Sequence, residues 1–151
     1  MISEKAIVSI LIEQVNSYKS LLGLLKDERE SLVDIDVDRI ENISKEKDTV
    51  VMRLRLLEEE RQRLLAEFTS DNNIEYEISL IELGKFTGNS QISDLRSQLI
   101  SLLQSIEEMN KFNTVLIDRS LQHVKTSSSF FNSFPTKSTS AQTGVLLSKE
   151  S

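Results

Sequence analysis

The chain has 151 residues, a formal net charge of −6 and no cysteine. This length fits one domain with or without a tail, the negative charge gives no electrostatic attraction for nucleic acid, and the lack of cysteine excludes disulfides and thiolate metal sites. With 28% charged and 5% aromatic residues and a single proline, the composition predicts an all-α protein, an elongated antiparallel bundle rather than a sheet protein.

The first predicted helix covers about residues 3–33, where apolar residues recur at steps of three and four and so share one helical face. A break at Asp34-Ile-Asp-Val-Asp38 follows, and Asp36 within it is the expected N-cap of the next helix. Because the link is so short, we expect the first two helices to form an antiparallel hairpin.

The second predicted helix covers about residues 37–68 and carries an apolar stripe that only Lys47 and Arg61 interrupt. Two interpretations of these residues are open. Polar groups within an apolar stripe can fix the register and the choice of partner. Alternatively, their aliphatic stems cover the core while their charges reach water.

A short connector helix is predicted over residues 74–83, followed by turn residues at Gly84 and at Gly88-Asn-Ser90. A third long helix is predicted over about residues 90–126, with Ser90 as its N-cap. These helices define a bundle over residues 1–125. Residues 126–151 are rich in serine and threonine, which predicts a flexible C-terminal tail. The tail's few apolar residues, Phe130, Phe131, Phe134 and Val145–Leu147, are candidate docking elements.

The chain offers little for catalysis or metal binding. His123 is the only histidine, so no nucleophile with a base can be assembled from the sequence. Residues 34–38, Asp-Ile-Asp-Val-Asp, resemble the start of a calcium-binding EF-hand loop, but Arg39 and Lys45 occupy the positions that require glycine and glutamate. We therefore expect no enzyme, no cofactor and no metal.

Targeting signals are not evident either. No run approaches the roughly 18 apolar residues that suggest a membrane-spanning helix, and the first residues lack the pattern of a signal peptide. We expect a cytoplasmic protein without membrane insertion.

Three stretches, in order, resemble the FlgN family of flagellar export chaperones. The first is Leu21-Leu-Gly-Leu-Leu25 with Asp27-Glu-Arg-Glu30 and Leu32. The second is Asp36-Val-Asp-Arg-Ile40, Lys45-Glu-Lys47, Leu54-x-x-Leu57-Glu58 and Arg61-x-x-Leu64-Leu65. The third is Asn110-Lys-Phe-Asn113 with Leu116-Ile117 and Ser120-Leu121. The resemblance covers about the first 125 residues.

The resemblance implies a cytosolic helical chaperone, monomeric or homodimeric, without catalysis or cofactor. Such a protein would bind the C-terminal helices of hook-associated (hook–filament junction) proteins, keep them unassembled and deliver them to the type III export apparatus. The alternatives are a structural coiled-coil or tethering protein that acts by self-association, and an adaptor that binds through its tail aromatics.

The candidate client-binding residues lie on the third long helix, where two amides and a methionine interrupt a Leu/Ile face. Amides on such a face need hydrogen-bond partners, supplied by a bound helix or by an internal register-fixing contact, and methionine suits an adaptable surface. The predicted site comprises Leu103, Ile106, Met109, Asn110, Asn113, Leu116, Ile117 and Leu121.

Overall fold

The computed structural model describes residues 4–132, and every regular element within them is helical. The helices are α1 (Glu4–Asp34), α2 (Val37–Asp71), α3 (Leu80–Thr87) and α4 (Ser90–Asn132). The predicted all-α class is confirmed. At a rise of 1.5 Å per residue, the 43 residues of α4 extend for about 65 Å.

The turn between α1 and α2 is closed by hydrogen bonds at both helix ends. Ile35 N–H donates to the Leu32 carbonyl at 3.3 Å, and Asp36 N–H donates to the Ser31 carbonyl at 3.0 Å, the pattern of a Schellman motif. The Asp36 carboxylate then accepts from Arg39 N–H at 3.2 Å, which confirms Asp36 as the N-cap of α2. This motif usually has glycine at the position that Ile35 occupies, with φ of 54°.

Side-chain contacts show that α2 runs opposite to α1. Lys47, early in α2, contacts Glu28, late in α1. Glu58, further along α2, contacts Gln14, in the first half of α1. The two helices therefore form the expected hairpin.

α4 runs in the same direction as α1. Asn89, immediately before α4, donates to Glu4 at 3.0 Å, and Asn113 donates to the carbonyl of Leu25 at 2.9 Å. Since Asn113 lies near the end of the α1–α2 hairpin, the C-terminal part of α4 extends past the hairpin.

α1 is the central helix of the described part of the chain. It packs against both α2 and α4, and α3 packs against α4, whereas α2 and α4 are not a closely packed pair. α1 contributes to both apolar clusters. The larger consists of Ile7, Val8, Ile10, Leu11, Val15, Leu57, Leu64, Phe68, Ile78, Leu83, Ile92, Leu95 and Leu99. The smaller consists of Leu21, Leu25, Leu54 and Ile106.

The short helix lies at Leu80–Thr87 rather than at the predicted 74–83. Its start is set by the N-cap Ser79, whose hydroxyl accepts from Glu82 N–H at 3.2 Å and donates to the Glu82 carboxylate at 3.1 Å. Its end is set by Gly88, with φ of 69°.

Gly84 was predicted to be a turn residue after the connector helix. In the structure it lies within α3 instead. A Cβ atom at Gly84 would lie 2.9 Å from the hydroxyl oxygen of Ser93. The glycine thus permits a close approach of α3 to α4, so its role is in packing rather than in a turn.

α4 also departs from prediction at both ends. Its N-cap is Asn89, whose side-chain oxygen accepts from Gln91 N–H at 3.0 Å, and Ser90 is already helical. It continues past residue 126 to Asn132. No glycine or proline occurs between residue 126 and Pro135, and serine and threonine lower the stability of a helix only modestly. The remainder of the predicted tail, with Phe134 and Val145–Leu147, lies outside the described residues.

Candidate functional site

The eight predicted client-binding residues fall on two adjacent rows of α4. Within each row the residues are spaced by three, four or seven positions. The inner row, which faces α1, consists of Ile106, Met109, Asn113 and Leu116. The outer row, on the flank of α4 toward α2, consists of Leu103, Asn110, Ile117 and Leu121.

The inner row is occupied by internal packing. Ile106 is buried in the smaller apolar cluster, against which Met109 also packs. Asn113 is 2% exposed, and Leu116 is partly buried. These four side chains hold α4 in place against the rest of the bundle and leave little exposed surface for another molecule.

Asn113 belongs to a buried polar layer that joins the three long helices. Its Nδ2 donates to the Leu25 carbonyl and to Glu28 Oε1, each at 2.9 Å. Glu28 Oε2 accepts from Lys47 Nζ at 2.8 Å. Because a buried carboxylate needs such partners, this layer fixes the register of α1, α2 and α4.

The outer row is accessible. Leu103 is 45% exposed and Ile117 is 40% exposed; Asn110 is exposed, and Leu121 is partly exposed. A shallow concavity runs along this flank, lined by Leu103, Ile106, Glu107, Asn110, Lys111, Thr114 and Val115. The concavity is mostly apolar, with charged side chains at its border. Two of these, Glu107 and Lys111, form an ion pair at 3.2 Å.

The outer row leads into a pocket between α2 and α4, which we call the end pocket. All four helices contribute to it. Its lining consists of Gln14, Tyr18, Glu58, Arg61, Leu80, Arg96, Leu99, Ile100 and Leu103.

A hydrogen-bonded group of polar residues lies in the end pocket. Glu58 accepts from Gln14 Nε2 at 2.9 Å through one oxygen and from Arg61 through the other. Burial alone would raise the pKa of Glu58, but the hydrogen bonds and charge of Arg61, together with hydrogen bonds from Gln14 and Gln62, lower it below its usual value. Burial, followed by the nearby Glu58 charge, raises the pKa of Tyr18, so the phenol stays protonated at neutral pH.

Sequence reasoning missed several residues of this region. Ile100 is 38% exposed, lies three positions before Leu103 and extends the outer row into the end pocket. Its helical spacing from Leu103 would have indicated this. That Gln14 lines the end pocket cannot be predicted from the sequence, because it depends on how α1 packs against α2 and α4.

Two negative observations apply to residues 4–132. None of their helices is both long and apolar enough to cross a bilayer. Within the same residues, no three histidine, aspartate or glutamate side chains are grouped so that they could hold a metal ion.

Comparison with known proteins identifies the family of this chain. A family model described as FlgN protein matches residues 1–141 of the chain. No curated protein and no solved structure matches it. The chain therefore belongs to the FlgN family, a family of flagellar export chaperones and not of enzymes.

Proposed function

We propose that this FlgN-family protein is a cytosolic export chaperone for hook-associated flagellar proteins. It binds their C-terminal helical segments, prevents their premature assembly and delivers them to the type III export apparatus. The family supplies the general role. The choice of client and the position of its binding surface are our proposals.

The observation that carries this proposal is the uncovered outer row of α4. From Ile100 to Ile117 the row extends for about 25 Å, between four and five turns of helix. Exposed apolar residues at helical spacing beside a groove are the features with which proteins bind an amphipathic helix. A client's terminal helix would bury its own apolar face there and could no longer associate with other subunits.

α2 offers a second wall for such a helix. Val51 is 42% exposed and lies seven positions, two helical turns, before Glu58 of the end pocket. A client helix on the outer row would therefore contact α4 through Leu103 and Ile117 and α2 through Val51. The inner row would act only by supporting α4.

Titration calorimetry with synthetic peptides of hook-associated C-terminal segments tests the proposal. We expect Leu103→Gln combined with Ile117→Gln to weaken binding at least tenfold, because two apolar contacts are lost. Leu56 is 58% exposed on the opposite side of α2, so Leu56→Gln is a matched control that should leave the affinity unchanged. Equal affinity of the double variant and the wild type, with both folded, would contradict this placement.

Self-association is the second candidate function, since another copy of the chain could cover the same outer row. Light scattering separates the two. A client-binding chaperone should keep its outer row available, so the Leu103/Ile117 variant should have the mass of the wild type. If the protein is a tethering protein, the Leu103/Ile117 variant should form a smaller oligomer than the wild type, and client peptides should not bind.

A further inference from the structure

We propose that the end pocket receives a primary amide side chain, asparagine or glutamine, from the bound client helix. The inference rests on the proposed function and adds a specificity determinant to it. It is carried by two buried polar atoms, an acceptor and a donor, that have no hydrogen-bond partner. They belong to Gln14 and Arg61.

Gln14 provides the acceptor. The residue is 2% exposed, and its Nε2 donates to the Glu58 carboxylate at 2.9 Å. This contact fixes the orientation of the amide, because the reverse orientation would place two acceptors against each other. Oε1 therefore points away from Glu58 and has no partner, which is costly for a buried acceptor.

Arg61 provides the donor. Its guanidinium reaches Glu58 through Nη2, whereas the buried Nε–H has no partner. Gln14 and Arg61 both line the end pocket and contact the two oxygens of one carboxylate, and from this we infer that one incoming group can reach the unpartnered acceptor and the unpartnered donor. The Arg61 side chain is 24% exposed, so the guanidinium lies at the border between the end pocket and solvent.

The chemistry of the two atoms selects the ligand. A carboxylate has no proton to donate to Gln14 Oε1 and would be repelled by Glu58. A lysine or arginine has no acceptor for Arg61 Nε–H and would be repelled by that guanidinium. A primary amide supplies an N–H for Gln14 and a carbonyl for Arg61 at the same time, and its carbon stem suits the apolar wall formed by Leu80, Leu99, Ile100 and Leu103.

A double-mutant cycle between chaperone and client peptide tests the inference. In hook-associated C-terminal peptides that bind the wild type, each asparagine and glutamine is replaced in turn by leucine, glutamate or serine. The chaperone variants are Gln14→Met, which keeps the size of the side chain, and Arg61→Lys, which keeps the charge but removes Nε. Gln104→Met and Arg53→Lys, at exposed positions, are the matched controls.

We expect one amide of the peptide to be coupled to Gln14. Its replacement by leucine should weaken binding to the wild type about tenfold, as expected for a hydrogen bond to a charged group. The same replacement should have little further effect in Gln14→Met. Glutamate should weaken binding more than leucine, and Arg61→Lys should weaken it when the amide is present.

The outcomes separate the two proposals. If the wild type binds no hook-associated peptide, the proposed function fails and this inference fails with it. If the wild type binds but Gln14→Met, folded by circular dichroism, binds equally well, only the amide pocket is wrong. The pocket is also wrong if no amide is coupled to Gln14, in which case a water molecule is the better partner for the two atoms.

Discussion

Asn113 of α4 donates a hydrogen bond to the carboxylate of Glu28 of α1 over 2.9 Å, although 85 positions separate the two residues. The same carboxylate accepts from Lys47 of α2. One buried charge thus joins all three long helices, close to the end of the α1–α2 hairpin. Asn110, three positions before Asn113, is exposed on the outer row. The two asparagines of the Asn-x-x-Asn motif therefore have different surroundings and should have different effects.

Asn113→Ala should lower the free energy of unfolding by about 2–3 kcal/mol, because two buried hydrogen bonds are lost, one of them to a carboxylate. Asn110→Ala should change it by no more than about 0.5 kcal/mol. Urea denaturation followed by circular dichroism measures both.

The order should reverse for client peptides. Asn110→Ala should weaken binding by about fivefold, the value of one neutral hydrogen bond. Asn113→Ala should leave the affinity nearly unchanged at temperatures where it is folded. If Asn113→Ala instead abolished binding while stability stayed at the wild-type value, the assignment of Asn113 to the internal polar layer would be wrong.

Glu28→Ala should be among the most destabilising single changes in the bundle, by about 3–5 kcal/mol. It deprives buried Asn113 of one partner and removes the carboxylate that neutralises Lys47, whose side chain is 26% exposed. Glu30→Ala is the control, since Glu30 pairs with Arg39 at the surface, where its side chain is 60% exposed. An exposed pair contributes at most about 1 kcal/mol. Similar losses for the two variants in urea denaturation would show that the buried layer does not determine stability.

Much of the fold could be predicted from local signals. Asp36 was recognisable as an N-cap, and the three-and-four spacing of apolar residues gave the three long helices. The position of α3 differs from the prediction, because the N-cap at Ser79 sets the start of the helix whereas the apolar periodicity of residues 74–83 does not. From the sequence alone Gly84 resembles a turn residue, because only the distance to Ser93 shows that it permits close packing.

The candidate site was predictable only in part. The sequence places the eight residues on one broad face of α4. It does not show which of them α1 covers and which remain free to bind a partner. The division depends on tertiary contacts, since Ile106 and Asn113 are covered by α1 whereas Leu103 and Ile117 are not. For the same reason the sequence left open whether Lys47 fixes register, and only the position of Glu28 decides it.

Acid should remove the stabilisation that Glu58 contributes. The pKa of Glu58 in the folded protein lies below its ordinary value of 4.5, so protonation favours the unfolded state. The contribution is therefore complete above about pH 5 and is lost as the pH falls through 4.5 and below. The difference in thermal midpoint between the wild type and Glu58→Gln should be largest near neutral pH and shrink toward pH 3.

Glu59→Gln is the control for this titration, because Glu59 is the exposed neighbour of Glu58 on α2. Its thermal midpoint at neutral pH should stay close to that of the wild type, because a substitution at an exposed position changes stability little. A difference between wild type and Glu58→Gln that stayed constant from neutral pH to pH 3 would mean that the Arg61–Glu58 contact does not depress the pKa.

Ile35→Gly should stabilise the protein by about 1 kcal/mol, an unusual result for the loss of a large side chain. Ile35 has φ of 54°, a conformation that costs a β-branched residue roughly 1–2 kcal/mol and glycine almost nothing. Its side chain is 64% exposed, so its removal sacrifices little apolar burial. Asn73→Gly is the control: Asn73 has φ of 55° in the same type of helix-ending turn, but asparagine tolerates that conformation, so the change should be small. If Ile35→Gly destabilised the protein in urea denaturation, the exposed isoleucine would have to make contacts at the hairpin turn that outweigh its backbone strain.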